Sequence, residues 1–420
     1  MRQKRASVSL CPQTGPAGEA RVRDGTGAHD RVRHVGGLIL AAVLAITVSV
    51  LVTDPDDPTR VVPAVAAVPS PKPPETVERV LAAQAAALTR GDRAGWLKPV
   101  APALRQRYQN LYRSLRALHV ATVDYRVTAK KLPVVEVELS YCFAGAVCPK
   151  DRPKIAQRLT IKSNVITAEG RATRLSDLQP TPWEKGDLVF AQGKRVTVGA
   201  PPALKGRLKE ILAIAESAAA IDDRYAAYVD NRQPRYRLFI ATDKLWRTWY
   251  GGKATDWAVG YMQPLGGTGA DVVINPSRLP NRAALREVIQ HELGHVATIG
   301  GVTSRHEDMW LVEGVAEYIG AQPKRAFDTY NRWSLRKPTQ LAARPLRDGA
   351  GDKEVAAFYA QGHFAVDCLV TAFGEPRAME FVRLRLRLGD DLDDAARSVF
   401  GTDFRHVTTT CVNWMSHQVG

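Results

Sequence analysis

Apolar residues recur along the chain with two periods, and the alternation between them marks out its elements. Val77, Val80, Leu81 and Ala85 fall on one side of a helix predicted over residues 75–89, which Gly91-Asp92 ends. A second helical pattern covers 103–118. The period then drops to two, giving strands at 120–128, 134–141 and 155–163, a weaker turn at 165–168, and a further strand at 188–198. Helices followed by a run of antiparallel strands predict a curved sheet wrapped on helices, an α+β domain over 75–200. A long helix at 202–228 leads into the second half, 201–420. There, strands at 236–241, 257–262 and 271–274 predict an antiparallel or mixed sheet, with a short helix at 244–250. Pro280-Asn281 supplies a stop and an N-cap for a helix through Ala297. Helical periodicity returns over 364–414 as a helical C-terminal lobe.

The N-terminal stretch has neither period. Residues 1–34 are rich in Arg and Gly and poor in large apolar side chains, a cytoplasmic basic disordered tail. Residues 35–52 carry no charge and, as a helix about 27 Å long, match the apolar thickness of a bilayer, so a single transmembrane helix is expected there. Arg31 and Arg33 precede it, and Asp54, Asp56 and Asp57 follow it. The positive-inside rule then makes the chain a single-pass cell-membrane protein with its C-terminal domains extracytoplasmic. A cleaved signal peptide is the alternative, but the apolar run is longer than such segments need, and the nearest small-x-small site, Ala64-Val65-Ala66, lies well beyond it. Prolines at 55, 58, 63, 69, 71, 73 and 74 make 53–74 an extended linker.

Composition adds two points. A net charge of +15 over 420 residues invites a nucleic-acid reading, but the excess is scattered as single arginines without a nucleic-acid motif, so none is expected as a partner. Cys11 stands alone in the tail, while Cys142, Cys148, Cys368 and Cys411 suit an oxidising compartment. Three connectivities are open to those four; Cys142–Cys148 would bracket a short loop and Cys368–Cys411 would tie down the C-terminus.

The candidate chemistry sits in the helix ending at Ala297. His291-Glu292-Leu293-Gly294-His295 is an H-E-x-x-H sequence. On a helix its two imidazoles lie one turn apart on one face and can reach one metal ion, the half-site of a zinc hydrolase. Glu292 is about 100° round, placed to act on a metal-activated water without being a ligand. Two solvated histidines on a helix are the bland alternative. Downstream, the helical pattern of 309–320 places Glu313 beside an apolar face. With Glu313 as third ligand, a His2Glu set leaves a fourth position open, as a catalytic rather than structural zinc requires.

HELGH followed by WLVEGVAEY resembles the gluzincin metallopeptidases, most closely the peptidase-MA-like group related to aminopeptidases with a W-L-x-E-G-x-A motif. The resemblance spans about residues 200–420 and implies a zincin-type domain with Zn2+ on His291, His295 and Glu313, and Glu292 as general base. It also implies that Glu317 orients a ligating histidine, the alternative being a solvated helix carboxylate. Tyr359, in Tyr359-Ala360-Gln361-Gly362-His363, matches a tyrosine that stabilises the oxyanion, the alternative being a core tyrosine beside Phe358 and Phe364. His306 and His363 are further candidates for transition-state contacts. Over 75–200, LTRGDRAGWLKPVAP is similar to the first helix pair of the cone-shaped domains related to nuclear transport factor 2 and the SnoaL-like proteins, which implies a spacer or recognition domain. The aminopeptidases carry G-x-M-E-N upstream; here Gly260-Tyr261-Met262-Gln263-Pro264 lacks the carboxylate that would hold a free amino group, so an endopeptidase acting on a peptide or protein substrate is expected. Two other classes remain open, a non-catalytic surface scaffold and a zinc amidase acting on cell-wall material.

Overall fold

The computed structural model describes residues 76–143, 148–150, 152–252, 258–267, 269–347 and 349–419. The helices are α1 (Val77–Arg90), α2 (Arg93–Leu97), α3 (Arg105–Ala117), α4 (Leu208–Tyr228), α5 (Asp243–Trp246), α6 (Arg282–Ile299), α7 (Met309–Ala321), α8 (Asp352–Phe373), α9 (Glu375–Val382), α10 (Leu392–Phe400) and α11 (Phe404–Ser416). The strands are β1 (Val120–Lys131), β2 (Val134–Phe143), β3 (Lys154–Lys162), β4 (Val165–Gly170), β5 (Val189–Gln192), β6 (Val196–Ala200), β7 (Tyr236–Ile240), β8 (Gly260–Pro264) and β9 (Ala270–Ile274).

Two sheets result. The first is an antiparallel meander in the order β1-β2-β3-β4, with α1 and α3 against β1. The turn expected at 165–168 lies in β4, Val165–Gly170, which pairs with β3 as the edge strand. The second sheet runs β5-β6-β7-β9-β8 and is mixed: β6, β7 and β9 are parallel, while β5 and β8 are antiparallel to their neighbours. The single strand expected at 188–198 is therefore a hairpin, β5 and β6, in this second sheet. Its turn is held from α4, where Glu216 accepts hydrogen bonds from the backbone N–H of Arg195 and Val196 at 2.8 and 2.7 Å. Periodicity of two identifies a strand but not its partners, so sheet membership had to come from these contacts.

The second sheet is buried on both faces, and alternation sends its residues to two cores. Val196, Val198, Leu238, Ile240, Met262, Val272 and Ile274 face α4, α6 and the C-terminal helices. Phe239, Ala241, Tyr261 and Val273 face the other way and join the core containing Trp96, Tyr108, Leu139, Tyr141 and Trp183. Residues 75–420 accordingly belong to one compact unit. The disulfides are Cys142–Cys148 and Cys368–Cys411, the second linking α8 to α11.

The architecture is α+β with two sheets and many helices, and the expected fold class is corrected on one point. The predicted transmembrane helix at 35–52, with the tail and linker, lies outside the described residues, and among the described residues no helix is long and apolar enough to cross a membrane. Helix α4 has the length, at 21 residues, but it carries Lys209, Glu210, Glu216, Asp222, Asp223 and Arg224.

Candidate metal centre

Helix α6 starts where its cap predicts: the Asn281 side chain accepts from the N–H of Ala284 at 2.9 Å. Its C-terminal carbonyls are held by Asn231, which donates to Val296 and Ala297 at 3.0 and 2.9 Å. From Val288 to Ile299 every residue is buried, because α4, α7 and the sheet enclose the helix together. The polar residues of H-E-x-x-H are thereby carried into the interior.

There His291, His295 and Glu313 converge, with one ligand atom of each within 4.8 Å of the others, and they can hold a metal ion. The Nε2 atoms of His291 and His295 are 3.1 Å apart, and Glu313 Oε2 lies 3.4 and 3.3 Å from them. All three residues are at most 2 % exposed. Two imidazole edges and a carboxylate packed this closely, away from water and with no Lys or Arg against Glu313 among the described residues, form a donor set that a cation completes. Burial by itself would raise the Glu313 carboxyl, but the two facing imidazoles outweigh it and hold the group well below the usual carboxylate range. His291 shifts upward: burial opposes its charge, and the hydrogen bonds and charges of Glu313 and Glu317 prevail.

Glu317, one turn after Glu313 on α7, is buried with Oε1 3.2 Å from His291 Nδ1. Its Oε2 accepts from Asn331 Nδ2 at 2.6 Å, and Asn331 Nδ2 lies 2.9 Å from Nδ1 of His363. Burial lowers the His363 pKa, which suits a neutral ring accepting at Nδ1. Through Asn331, His363 thus meets the carboxylate that lies against His291 Nδ1, and His306 is exposed on the turn before α7. Asn331 is fully buried yet lies in an irregular segment between α7 and α8, where no periodicity or spacing marks it.

Helices α7 and α8 cross in very close contact. A Cβ on Gly314 would come within 2.4 Å of the Gly362 carbonyl oxygen, and a Cβ on Gly362 within 2.7 Å of that of Trp310. These are the glycines that follow Glu313 and Tyr359 in their motifs. Their crossing brings the Tyr359 ring to 6.3 Å from the His291 ring, centroid to centroid. Tyr359 lies in the third turn of α8, 2 % exposed. Glu292 is fully buried beside β8, where a Cβ on Gly260 would approach Glu292 Oε1 to 2.9 Å. The segment Gly260–Pro264 is thus the edge strand bordering Glu292.

Asp222 of α4 carries no sequence signal. It is fully buried beside Gly294, and among the described residues no hydrogen-bond partner reaches either oxygen. Burial, then the charge of Asp223, push its pKa well above the usual carboxyl value, which favours the protonated acid. No family model matches the chain, and no curated protein matches it.

Proposed function

We propose that the chain is a zinc-dependent peptidase of the gluzincin type, an endopeptidase by preference. The observation that carries this reading is the His291–His295–Glu313 cluster with Glu292 at its side. A four-coordinate zinc with arms of about 2.0–2.1 Å spaces its ligands roughly 3.3–3.4 Å apart. The donor separations of 3.1, 3.4 and 3.3 Å match that spacing, and the mixed imidazole and carboxylate set is one zinc accepts.

When bound, the ion supplies Lewis acidity toward a carbonyl and acidifies a water. The residues of the chain do the rest. Glu292 takes the proton of the attacking water and passes it to the leaving amine nitrogen. Tyr359, on the His291 side of the cluster, donates its phenolic hydrogen to the oxygen that gains charge as the carbonyl becomes tetrahedral. Glu317, its Oε1 3.2 Å from His291 Nδ1, favours the tautomer that leaves the Nε2 lone pair facing inward, while Asn331 holds Glu317 in place. An edge strand with Gln263 where aminopeptidases place a carboxylate offers no anchor for a free substrate amine, which favours cleavage within a chain.

The test is Glu292→Gln. Metal analysis of the purified protein should find one equivalent of zinc in both forms, and a peptide-library digest should show cleavage by the native form, lowered about 10²–10⁴-fold or more in the variant. Undiminished cleavage by Glu292→Gln, or native protein that takes up no metal, would overturn the reading.

A further inference from the structure

The segment joining α7 to α8, residues 322–347, is a strap with two different faces. Inward, it buries Ala326, Leu335 and Leu341 in the core and delivers Asn331 to Glu317. Outward, it exposes Phe327, Tyr330 and Trp333, at 42, 45 and 72 %. Among the described residues these are the only large aromatic side chains so exposed, and Trp333 exceeds every other large apolar residue. Isolated exposed leucines need no explanation, but three aromatics within seven residues form a patch that a folded chain keeps for contact.

At the middle of the patch the Arg332 guanidinium lies over two rings, its central carbon 4.4 Å from the Phe327 ring centroid and 4.2 Å from that of Trp333. Two such cation–π contacts restrain the group, whose N–H edge is the side that binds a carboxylate through two parallel hydrogen bonds. Arg332 forms no ion pair among the described residues. The same holds for Arg336, Lys337 and Arg344, all exposed, whereas Lys324, Arg325 and Arg347 are paired with Glu287, Asp367 and Glu354. Asp328 is the single acid among the described residues of the strap. The face therefore combines fixed aromatic rings with uncompensated positive charge.

We propose that the outer face of the strap is a docking site for acidic, aromatic-containing segments of polypeptide substrates. Arg332 takes a side-chain carboxylate, Trp333 and Phe327 pack an apolar or aromatic neighbour, and the other free cations draw in the rest of the segment. As a substrate site this rests on the peptidase reading above, and its place follows from Asn331: the strap that captures the chain also borders the metal centre. An anionic membrane fits less well, since the Trp333 ring carries a guanidinium on its face and insertion would drag that charge into the apolar layer.

Binding can be measured with the zinc-loaded full chain carrying Glu292→Gln, so that nothing is cut. The probe is a random glutamate–tyrosine copolymer, compared with polylysine and with phosphatidylglycerol vesicles, followed by tryptophan fluorescence and calorimetry. The copolymer should bind and polylysine should not, and Arg332→Ala and Trp333→Ala should each weaken binding about tenfold or more. In the otherwise native enzyme the same substitutions should raise KM for acidic peptides while leaving zinc content and cleavage of a short uncharged peptide unchanged. Copolymer binding that ignores both substitutions, or vesicle binding that depends on them without copolymer binding, overturns the proposal. If the copolymer binds through Arg332 and Trp333 but the native chain cleaves no peptide, the peptidase reading fails and the docking face stands. If peptides are cleaved with a KM indifferent to these residues, the reverse holds.

Discussion

The two halves of the described chain bury polar groups of different kinds. Around the first sheet, Gln84, Ser114, Gln179 and Thr181 are the buried polar residues, and all are neutral. The two amides among them serve the backbone: Gln84 donates to the Trp96 carbonyl at 3.0 Å and Gln179 pairs with both backbone groups of Ala156, while the nearby Trp96 indole donates to the Tyr108 carbonyl at 2.9 Å. From β6 onward the buried set includes Asp222, Arg237, Asp271, His291, Glu292, His295, Asp308, Glu313, Glu317, His363, Asp367 and Arg385. Some of these are matched pairs, Arg237 with Asp271 at 2.6 Å and Arg385 with Asp308 at 2.7 Å. Glu313 and Glu317 instead face imidazoles, with the neutral Asn331 amide also on Glu317 and no Lys or Arg against either among the described residues. Neutral amides close the loose ends of a fold at little cost, whereas charges buried without an opposite charge are expensive and persist where chemistry needs them.

Three experiments would break or sharpen that contrast. Trp96→Ala removes a fully buried indole at the centre of the first core and should cost about 3–5 kcal/mol in chemical denaturation. The protein that remains folded should keep its full metal content; loss of metal in step with stability would show that the first half helps build the centre. Asn331→Ala should act in the opposite sense. Removing the hydrogen bond that steadies Glu317 behind His291 is expected to weaken metal binding about 10–100-fold in competition with a chelator, with a smaller change in the denaturation midpoint. Unaltered affinity would mean that Glu317 needs no support.

The smallest effect concerns Asp222. A carboxyl whose folded pKa is raised keeps its proton in the native state and releases it on unfolding, so rising pH favours the unfolded chain once the ordinary carboxyl pKa of about 3.9 is passed. Asp222→Asn should therefore match the native protein in stability at and below that pH and exceed it increasingly as pH rises above it. A difference independent of pH would show that Asp222 is ionised in the folded state.

Much of the centre was legible because helices make spacing into geometry. His291 and His295, four apart on a capped helix, face one way wherever that helix lies, and Glu313 and Glu317 share a face of α7 for the same reason. Tyr359 was noticed through its motif, but only the Gly314–Gly362 crossing brings it beside His291. Asn331 and Asp222 were not legible at all. One sits in a segment without a repeat, and the other in a helix whose acidic run, Asp222-Asp223, reads as a solvated face. The strand at 188–198 was seen as a strand and assigned to the wrong sheet, since alternation records which faces are buried and says nothing of the neighbour.

By itself, then, the amino-acid sequence determined the local elements, the helical register that aligns the two histidines and the residue types able to bind a metal. These follow from interactions over three or four residues. Tertiary structure decided which sheet each strand joins, the burial of the H-E-x-x-H helix on all sides, the meeting of α6, α7 and α8, and the relay from Asn331 through Glu317 to His291. Those depend on contacts between residues tens of positions apart, whose free energy is realised only when the whole chain has closed around them.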